Sequence, residues 1–363
     1  MPRLLVVGEL NADIVVQLDE APRFDDFEHL VPRTDIVLGS SSAIMACGAA
    51  RMSVPTSLVS VVGDDLLGRF VVDELRSRDV DTSAVRVDGG VPTGSSTILT
   101  LPDGDRSILT ALGTIGRVRV ADIPTALLAQ SAHVHVGSFF LQDALRGELP
   151  ALYRECRARG VSTSVDPNLD PAGEWGAGLV DVLPEVDVFF CNEREAAAIS
   201  GSSEVEAACA WFAERLPASA QVVVKRGSRG AVVAVCGGGR VTATYAASPP
   251  GPGNVGAELG AGSGSGNGGA VDETGCGSGN VGTADTIGSR SGIVGLGDAA
   301  GSGSGIVDTV GAGDSLAAGY LAARLRGLPV EQQLQVGVRN GTASTRAAGG
   351  IAGQLTWEQA TLA

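Results

Sequence analysis

Short apolar runs alternate with longer helix-like segments along most of this chain. The apolar runs predict strands at Leu4–Val7, Leu58–Val62, Val134–Gly137, Val161–Val165, Val186–Cys191, Val222–Val224 and Ala231–Val235. The longer patterns predict helices at Ala43–Met52, Leu67–Arg78, Gly147–Arg159, Glu193–Ser200, Val205–Leu216 and Ser315–Arg326. Strands that are apolar on both faces and separated by helices indicate a mostly parallel sheet covered by helices on both faces. The sequence therefore predicts an α/β fold.

Polar residues follow several of these predicted strands. Asn11, Asp64, Asp166 and Asn192 each come shortly after the end of an apolar run. In open parallel sheets, ligands bind in the crevice beyond the carboxyl ends of the strands. We therefore expect these four side chains to converge on one site.

Residues 308–314, with the sequence DTVGAGD, place small residues between two carboxylates, directly before a predicted helix. Backbone N–H groups at a helix N-terminus bind anions, and small side chains let a phosphate approach closely. Asp314 would stand beside that site as a candidate base for an attacking hydroxyl. A plain helix cap would explain Asp314 alone, but neither the small residues nor Asp308. The segment therefore indicates phosphoryl transfer.

This segment resembles the C-terminal signature of the ribokinase (PfkB) sugar-kinase family, and other segments resemble its motifs in the expected order. They are Val6–Asp13, Gly39–Arg51, Gly63–Gly68, Asp166–Asn168, Asn192–Glu195 and Lys225–Ala231. The resemblance covers nearly everything except residues 248–306. It implies a single ribokinase-like kinase domain over residues 1–363, using ATP and Mg²⁺, with a monovalent cation such as K⁺ as a further ligand.

The resemblance also assigns roles to residues. Asp314 would be the base, and the amides around Gly311, Ala312 and Gly313 would stabilise the transferred phosphoryl group. The substrate would contact Asn11, Asp13, Gly39, Ser40 and Asp314. ATP would contact Asn192, Lys225, Gly227 and Gly230. Glu195 would hold Mg²⁺ through water, and Asp308 would help to bind the monovalent cation. Three of these assignments have a purely structural alternative. Glu195 could be an acid that favours the first turn of a helix, Lys225 to Gly230 could form a hairpin turn, and Asp308 could be an acid at a strand end.

Two positions depart from the family pattern. Ile44 stands where ribokinases carry a sugar-binding Asn, and Asp166-Pro167-Asn168-Leu169-Asp170 lacks the Arg that often follows. These changes put ribose in doubt and leave a sugar or a nucleoside such as adenosine as the acceptor. A catalytically silent sugar-binding regulatory protein is the alternative from another class. A Rossmann dehydrogenase is disfavoured because the first strand is followed by no glycine fingerprint.

Two regions stand apart from the α/β pattern. Short strands within residues 12–38 and 85–112 predict a small β-sheet lid, which in related kinases often doubles as a homodimer surface. Residues 249–305 are crowded with Gly, Ser, Asn and Ala, a composition typical of a disordered insert. The two G-x-G-x-x-G matches in that insert follow no predicted strand, so we attribute them to chance.

Composition excludes several classes of protein. The net charge of −15 argues against nucleic-acid and anionic-membrane partners, and no apolar run reaches membrane-spanning length. The N-terminus turns acidic too early for a secretory signal, and the six cysteines form no C-x-x-C pair. We therefore expect a cytoplasmic protein with reduced thiols. His133 and His135 alternate in a predicted strand, where packing is favoured over metal binding.

Overall fold

The computed structural model describes residues 2–24, 28–176, 178–250 and 308–362. Its strands are β1 Arg3–Val7, β2 Asn11–Gln17, β3 Arg33–Leu38, β4 Thr56–Gly63, β5 Val80–Asp88, β6 Gly94–Thr100, β7 Arg106–Ala111, β8 Ser131–Val136, β9 Ser162–Val165, β10 Val188–Asn192, β11 Gln221–Lys225, β12 Ala231–Cys236 and β13 Val241–Ala247. Its helices are α1 Ser41–Arg51, α2 Leu66–Arg76, α3 Thr125–Gln130, α4 Asp143–Arg146, α5 Leu149–Ala158, α6 Leu179–Val182, α7 Glu193–Ser200, α8 Val205–Ala213, α9 Ala312–Leu325, α10 Val330–Ser344 and α11 Trp357–Thr361. The predicted insert at 249–305 lies, beyond Pro250, outside the described residues.

The larger sheet contains nine strands in the order β13-β12-β11-β10-β9-β8-β1-β4-β5. Pairing is parallel from β11 to β5, and β12 and β13 add antiparallel strands at the other edge. This confirms the predicted α/β fold with a mostly parallel sheet. The carboxyl ends of the parallel strands lie at one end of the sheet. There Gly8 follows β1, Asp166 follows β9, and Asn192 is the last residue of β10.

Alternate residues of the central strands enter two separate cores. Leu4 and Val6 of β1 pack with buried side chains of α1 and α9 on one face. Leu5 and Val7 pack on the opposite face with the buried side chains of α5 and α8. Since successive strand residues point to opposite faces, a continuous apolar run serves both cores at once. The helices α1 and α9 pack against each other on the first of these faces.

The smaller sheet has four strands in the order β3-β2-β6-β7. Only residues 8–10 separate its strand β2 from β1, so a short connection joins the lid to the main sheet. One element differs from the prediction: Val85–Val87, expected in the lid, belongs to β5, which pairs in parallel with β4 at the edge of the main sheet. Val80 and Thr82 of β5 are buried there, which anchors the strand to the main sheet. Homodimerisation through the lid stays a prediction.

His133 and His135 lie buried in β8 and pack among hydroxyl groups. Ser164 Oγ lies 2.7 Å from His133 Nε2 and 2.8 Å from His135 Nδ1, and Ser162 Oγ lies 2.6 Å from His133 Nδ1. Burial lowers the pKa of both imidazoles, that of His135 to about 4. Within the described ranges, no group of three or more His, Cys, Asp or Glu side chains is placed to hold a metal ion. Nor is any helix there long and apolar enough to cross a membrane.

Candidate active site

No side chain caps the N-terminus of α9. Gly311 precedes the helix with φ 70°, a left-handed conformation that suits glycine. The first N–H groups of a helix have no partner within the helix. A methyl group on Gly311 would meet the buried Ile44 side chain at 2.9 Å, so the turn is packed from below. The Ala312 N–H donates to the Thr309 carbonyl at 3.4 Å, and no side chain caps the positive end of the helix dipole.

Asp314 lies in the first turn of α9, next to these amides. Its Oδ1 accepts a hydrogen bond from the hydroxyl of Ser41, at the start of α1. Burial raises the pKa of Asp314 to about 6, although Lys225 and the Ser41 hydroxyl act in the opposite direction. A carboxylate with that pKa is ionised near neutral pH and basic enough to take a proton from a hydroxyl.

Lys225 lies beneath this site and not on the surface turn that follows it. It ends β11 and forms an ion pair with Asp166, which directly follows β9; the two side chains are only 11% and 1% exposed. A methyl group on Gly313 would come within 3.2 Å of the ammonium nitrogen. Burial alone would lower the pKa of Lys225, but the carboxylates of Asp166, Glu195 and Asp314 act more strongly in the opposite direction. The pKa of Lys225 therefore lies above its ordinary value. The ammonium is therefore the charge that offsets three neighbouring carboxylates.

Asn192 and Glu195 form a reciprocal cap at the start of α7. The Asn192 side chain accepts a hydrogen bond from the Glu195 N–H at 2.9 Å, and the Glu195 carboxylate accepts from the Asn192 N–H at 2.8 Å. Burial raises the pKa of Glu195 to about 7, and the carboxylates of Asp166 and Asp314 also raise it. Glu195 thus belongs electrostatically to the cluster around Lys225 while it also caps its own helix.

Gly227 and Gly230 lie in the turn between β11 and β12. The Arg226 N–H donates to the Gly230 carbonyl at 2.8 Å and closes the turn. Glu193, in the first turn of α7, pairs with Arg226 and Arg229 across this turn. The structure thus brings the start of α7 and the β11–β12 turn together.

On the opposite side, Asn11, Asp13 and Gly39 form a second polar group. Asn11 Nδ2 donates to Asp13 Oδ1 at 2.9 Å. A methyl group on Gly39 would lie 2.2 Å from that same oxygen, so any larger residue would displace the Asp13 and Asn11 side chains. Burial raises the pKa of Asp13 to about 7; the Asn11 hydrogen bond lowers it, and the charges of Asp308 and Glu9 raise it.

Glu9 and Ser41 are site residues that the sequence analysis did not single out. The buried Glu9 carboxylate accepts hydrogen bonds from the Ser42 hydroxyl at 3.0 Å, the Ser138 hydroxyl at 3.0 Å and the Gln142 amide at 2.8 Å. Ser40, which caps α1, donates to the Glu9 carbonyl at 2.6 Å. The available signal was an acidic residue directly after the first buried strand, where burial requires partners.

The structure also places three further residues that the sequence analysis named, and one of them, Asp64, differs from its prediction. Ile44 is 3% exposed, and its side chain packs against Gly311. Asp64 is exposed and pairs with Arg69, so it does not converge with the other strand-end residues. Asp308 uses both carboxylate oxygens to accept from the N–H groups of Val310 and Gly349, at 2.9 and 3.0 Å, which is a loop-tying role.

Sequence comparison identifies the family. A family model described as pfkB family carbohydrate kinase matches residues 1–262 and 303–357. The chain therefore belongs to the pfkB family of carbohydrate kinases. It is 30% identical over 233 residues to an ATP-dependent ribose-1-phosphate kinase from Halopiger xanaduensis, a match that covers 64% of this chain and 74% of that protein. It is also 30% identical over 209 residues to a 2-dehydro-3-deoxygluconokinase from Thermoproteus tenax, covering 55% and 64%.

Structural comparison gives the same fold. Arabidopsis thaliana ribokinase, complexed with ribose and ATP, superposes with a TM-score of 0.71 at 20% identity, covering 99% of this chain and 97% of that one. A nucleoside kinase from Methanocaldococcus jannaschii gives a TM-score of 0.68 at 18% identity, with the same coverage of both chains. These matches confirm the ribokinase-like fold, with its large mostly parallel sheet and its smaller lid sheet.

Proposed function

We propose that this protein transfers the terminal phosphoryl group of ATP to a hydroxyl of a sugar or sugar-like acceptor. One observation carries the proposal: the partly buried carboxylate of Asp314 lies beside the uncapped N-terminus of α9 and accepts a hydrogen bond from Ser41. A base and an anion site are thereby adjacent, which phosphoryl transfer requires. Membership of the pfkB family, and a relative named as an ATP-dependent ribose-1-phosphate kinase, support it.

In this mechanism Asp314 takes the proton from the acceptor hydroxyl as its oxygen attacks the phosphorus. A new O–P bond forms, the bond to the bridging oxygen of ATP breaks, and ADP leaves with that electron pair. The amides of Gly311, Ala312 and Gly313 would hold the phosphoryl oxygens, where preorganised donors stabilise developing charge. Lys225 keeps Asp314 ionised by lowering its pKa against the effect of burial.

The donor set near Asn192 fits a hydrated magnesium ion. Magnesium prefers oxygen ligands and keeps several waters, so a buried carboxylate can hold it through water. Each oxygen of Glu195 accepts one hydrogen bond from Asn192, which leaves lone pairs for metal-bound water. Bound Mg²⁺ would neutralise charge on the phosphates of ATP. Gly227 and Gly230 lie on this nucleotide side in the proposal, and Asp308 stays a proposed neighbour of a monovalent cation.

Exchanging Glu195 for Gln is expected to raise the Mg²⁺ concentration that gives the half-maximal rate by roughly 10-fold, the low end for loss of an outer-shell partner. The physical reason is that a charged acceptor of metal-bound water becomes neutral. The measurement is a magnesium titration at fixed ATP. Glu193→Gln is the matched control, since it removes a carboxylate from the same helix turn, and its titration should not move. An unchanged titration for Glu195→Gln would leave that residue with a capping role alone.

The proposal is tested by an ATP-consumption screen across neutral sugars, sugar acids, sugar phosphates and nucleosides. Turnover of any of these, with a phosphorylated product identified by mass spectrometry, supports the kinase activity. A screen in which acceptors bind but none is phosphorylated favours instead a catalytically silent sugar-binding regulatory protein. Nucleoside turnover above sugar turnover would select the nucleoside-kinase alternative.

A further inference from the structure

The lid presents one defined face toward the main sheet. In the lid register, Asp13 of β2 lies opposite Val37 of β3 and Ser96 of β6, and Ser96 lies opposite Thr110 of β7. Residues directly opposite each other in a sheet share a face. Asp13 contacts the position of Gly39, and Val37 approaches the position of Gly349, both outside the lid. The face that contains Asp13, Val37, Ser96 and Thr110, here called the inner lid face, therefore covers the candidate site.

The inner lid face carries little charge close to the site. Ser96 is buried, and its hydroxyl lies 3.0 Å from that of Thr110. Arg33 and Arg106 fall on the same face, in the register of Gln17 and Thr100 respectively. Gln17 is four residues beyond Asp13, about 13 Å along the strand, and Arg33 is already paired with Asp35 at 2.6 Å. Among the described residues of this face, the ionisable side chains nearest the site are the carboxylates of Asp13 and of Asp35, which lies opposite Val15 and pairs with Arg33.

On the main-sheet side, we take three described residues, Ser40, Ser41 and Asn168, as the ones that would face the acceptor. Ser40, Ser41 and Asn168 are neutral, and the Asn168 amide donates to the Ser138 hydroxyl at 3.0 Å. Asp170, near the place where family members often carry an Arg, turns back to accept from the Ala172 and Trp175 N–H groups. The site therefore offers hydroxyls, amides and carboxylates to an acceptor.

Several carboxylates close to this position already act on one another. Glu9 and Asp308 raise the pKa of Asp13, and Glu9 also raises that of Asp314. The cation bound to this cluster, Lys225, is committed to an ion pair with Asp166. An acceptor bearing a phosphate or a carboxylate would add a further negative charge among these groups.

We infer that the acceptor is a neutral polyhydroxy compound, a sugar or nucleoside without a phosphate or carboxylate group. The inference deepens the proposed kinase function and rests on it. It separates this chain from relatives named for ribose 1-phosphate and for 2-dehydro-3-deoxygluconate, whose acceptors are anionic. Like charges brought together at a binding surface repel each other strongly, so a strong preference for neutral acceptors follows.

The test compares acceptors matched in shape: ribose against ribose 1-phosphate, and adenosine against adenosine monophosphate, with 2-dehydro-3-deoxygluconate as the sugar acid. We expect the best neutral acceptor to exceed every anionic one by about 10²-fold or more in kcat/KM. Turnover confined to anionic acceptors, or faster with them, overturns the inference and leaves the kinase proposal standing. Absence of turnover with all acceptors overturns both.

A second test of the inference inserts a positive charge on the inner lid face. Thr110→Arg places a cation on that face, and Ser107→Arg places the same cation on the opposite face of the same strand. Both positions are exposed, so both variants should fold. Thr110→Arg should raise kcat/KM for the phosphorylated acceptor relative to its neutral partner by about 10-fold, and Ser107→Arg should leave the ratio unchanged. Equal ratios in the two variants would overturn the placement of the acceptor beneath this face.

Discussion

Asp314→Asn is expected to lower kcat by about 10²-fold or more, the usual scale for loss of a general base, with little change in ATP binding. Asparagine has the same size and can still accept a hydrogen bond from Ser41, but its amide cannot take a proton. The wild-type rate should also fall as pH drops below about 6, because the Asp314 carboxylate becomes protonated there. The residual rate of the variant should lack that acid limb. Steady-state kinetics from pH 5 to 8, with calorimetric titration of ATP, measure both effects.

Glu331→Gln is the matched control for this prediction. Glu331 is an exposed acid in the first turn of α10, so its exchange removes one carboxylate from a helix start without touching the site. It should leave kcat and the pH profile unchanged. If Asp314→Asn retains most of its turnover, or keeps the same acid limb, Asp314 is not the base.

The main sheet was predictable because its strands are buried on both faces. Runs such as Val222–Val224 contain no polar residue that could face solvent, and such runs form central strands. The lid and the sheet edge were harder to separate, since both give short alternating patterns. Val85–Val87 fits either place, and its position in β5 follows from pairing with β4. Sequence patterns indicate that a strand forms, but they do not identify its partner.

The site residues also differ in how far the sequence alone could identify them. The sequence motif around Asp314 and the spacing of Asn192 and Glu195 are local, so they could be found by inspection. The partner of Asp314 could not, because Ser41 is 273 residues away in the chain. The partner of Lys225 was equally hidden, since Asp166 precedes it by 59 residues. Local motifs indicate which chemistry is available, whereas the charge balance that sets the pKa values comes from packing.

That charge balance leads to the second large effect. Lys225→Met removes the cation from a cluster of three carboxylates and leaves Asp166 buried without its partner. Breaking a buried ion pair in this way costs about 3–5 kcal/mol of the free energy of unfolding. The acid limb of kcat/KM should also move to higher pH, because Lys225 lowers the pKa of Asp314. Denaturant unfolding and a pH–rate profile measure the two effects.

Two further variants distinguish this account of Lys225 from a general loss of positive charge. Arg226→Met removes a cation from the adjacent position, where Arg226 pairs with Glu193 at the partly exposed turn. It should leave the acid limb in place and change the free energy of unfolding by no more than about 1 kcal/mol. Asp166→Asn combined with Lys225→Met removes both buried charges and should recover part of the lost stability, because no unpaired Asp166 carboxylate remains. An acid limb that stays in place in Lys225→Met would mean that the ammonium does not set the proton affinity of the base. In that case Lys225 stabilises the fold through Asp166, and the pKa of Asp314 depends on burial and on Ser41.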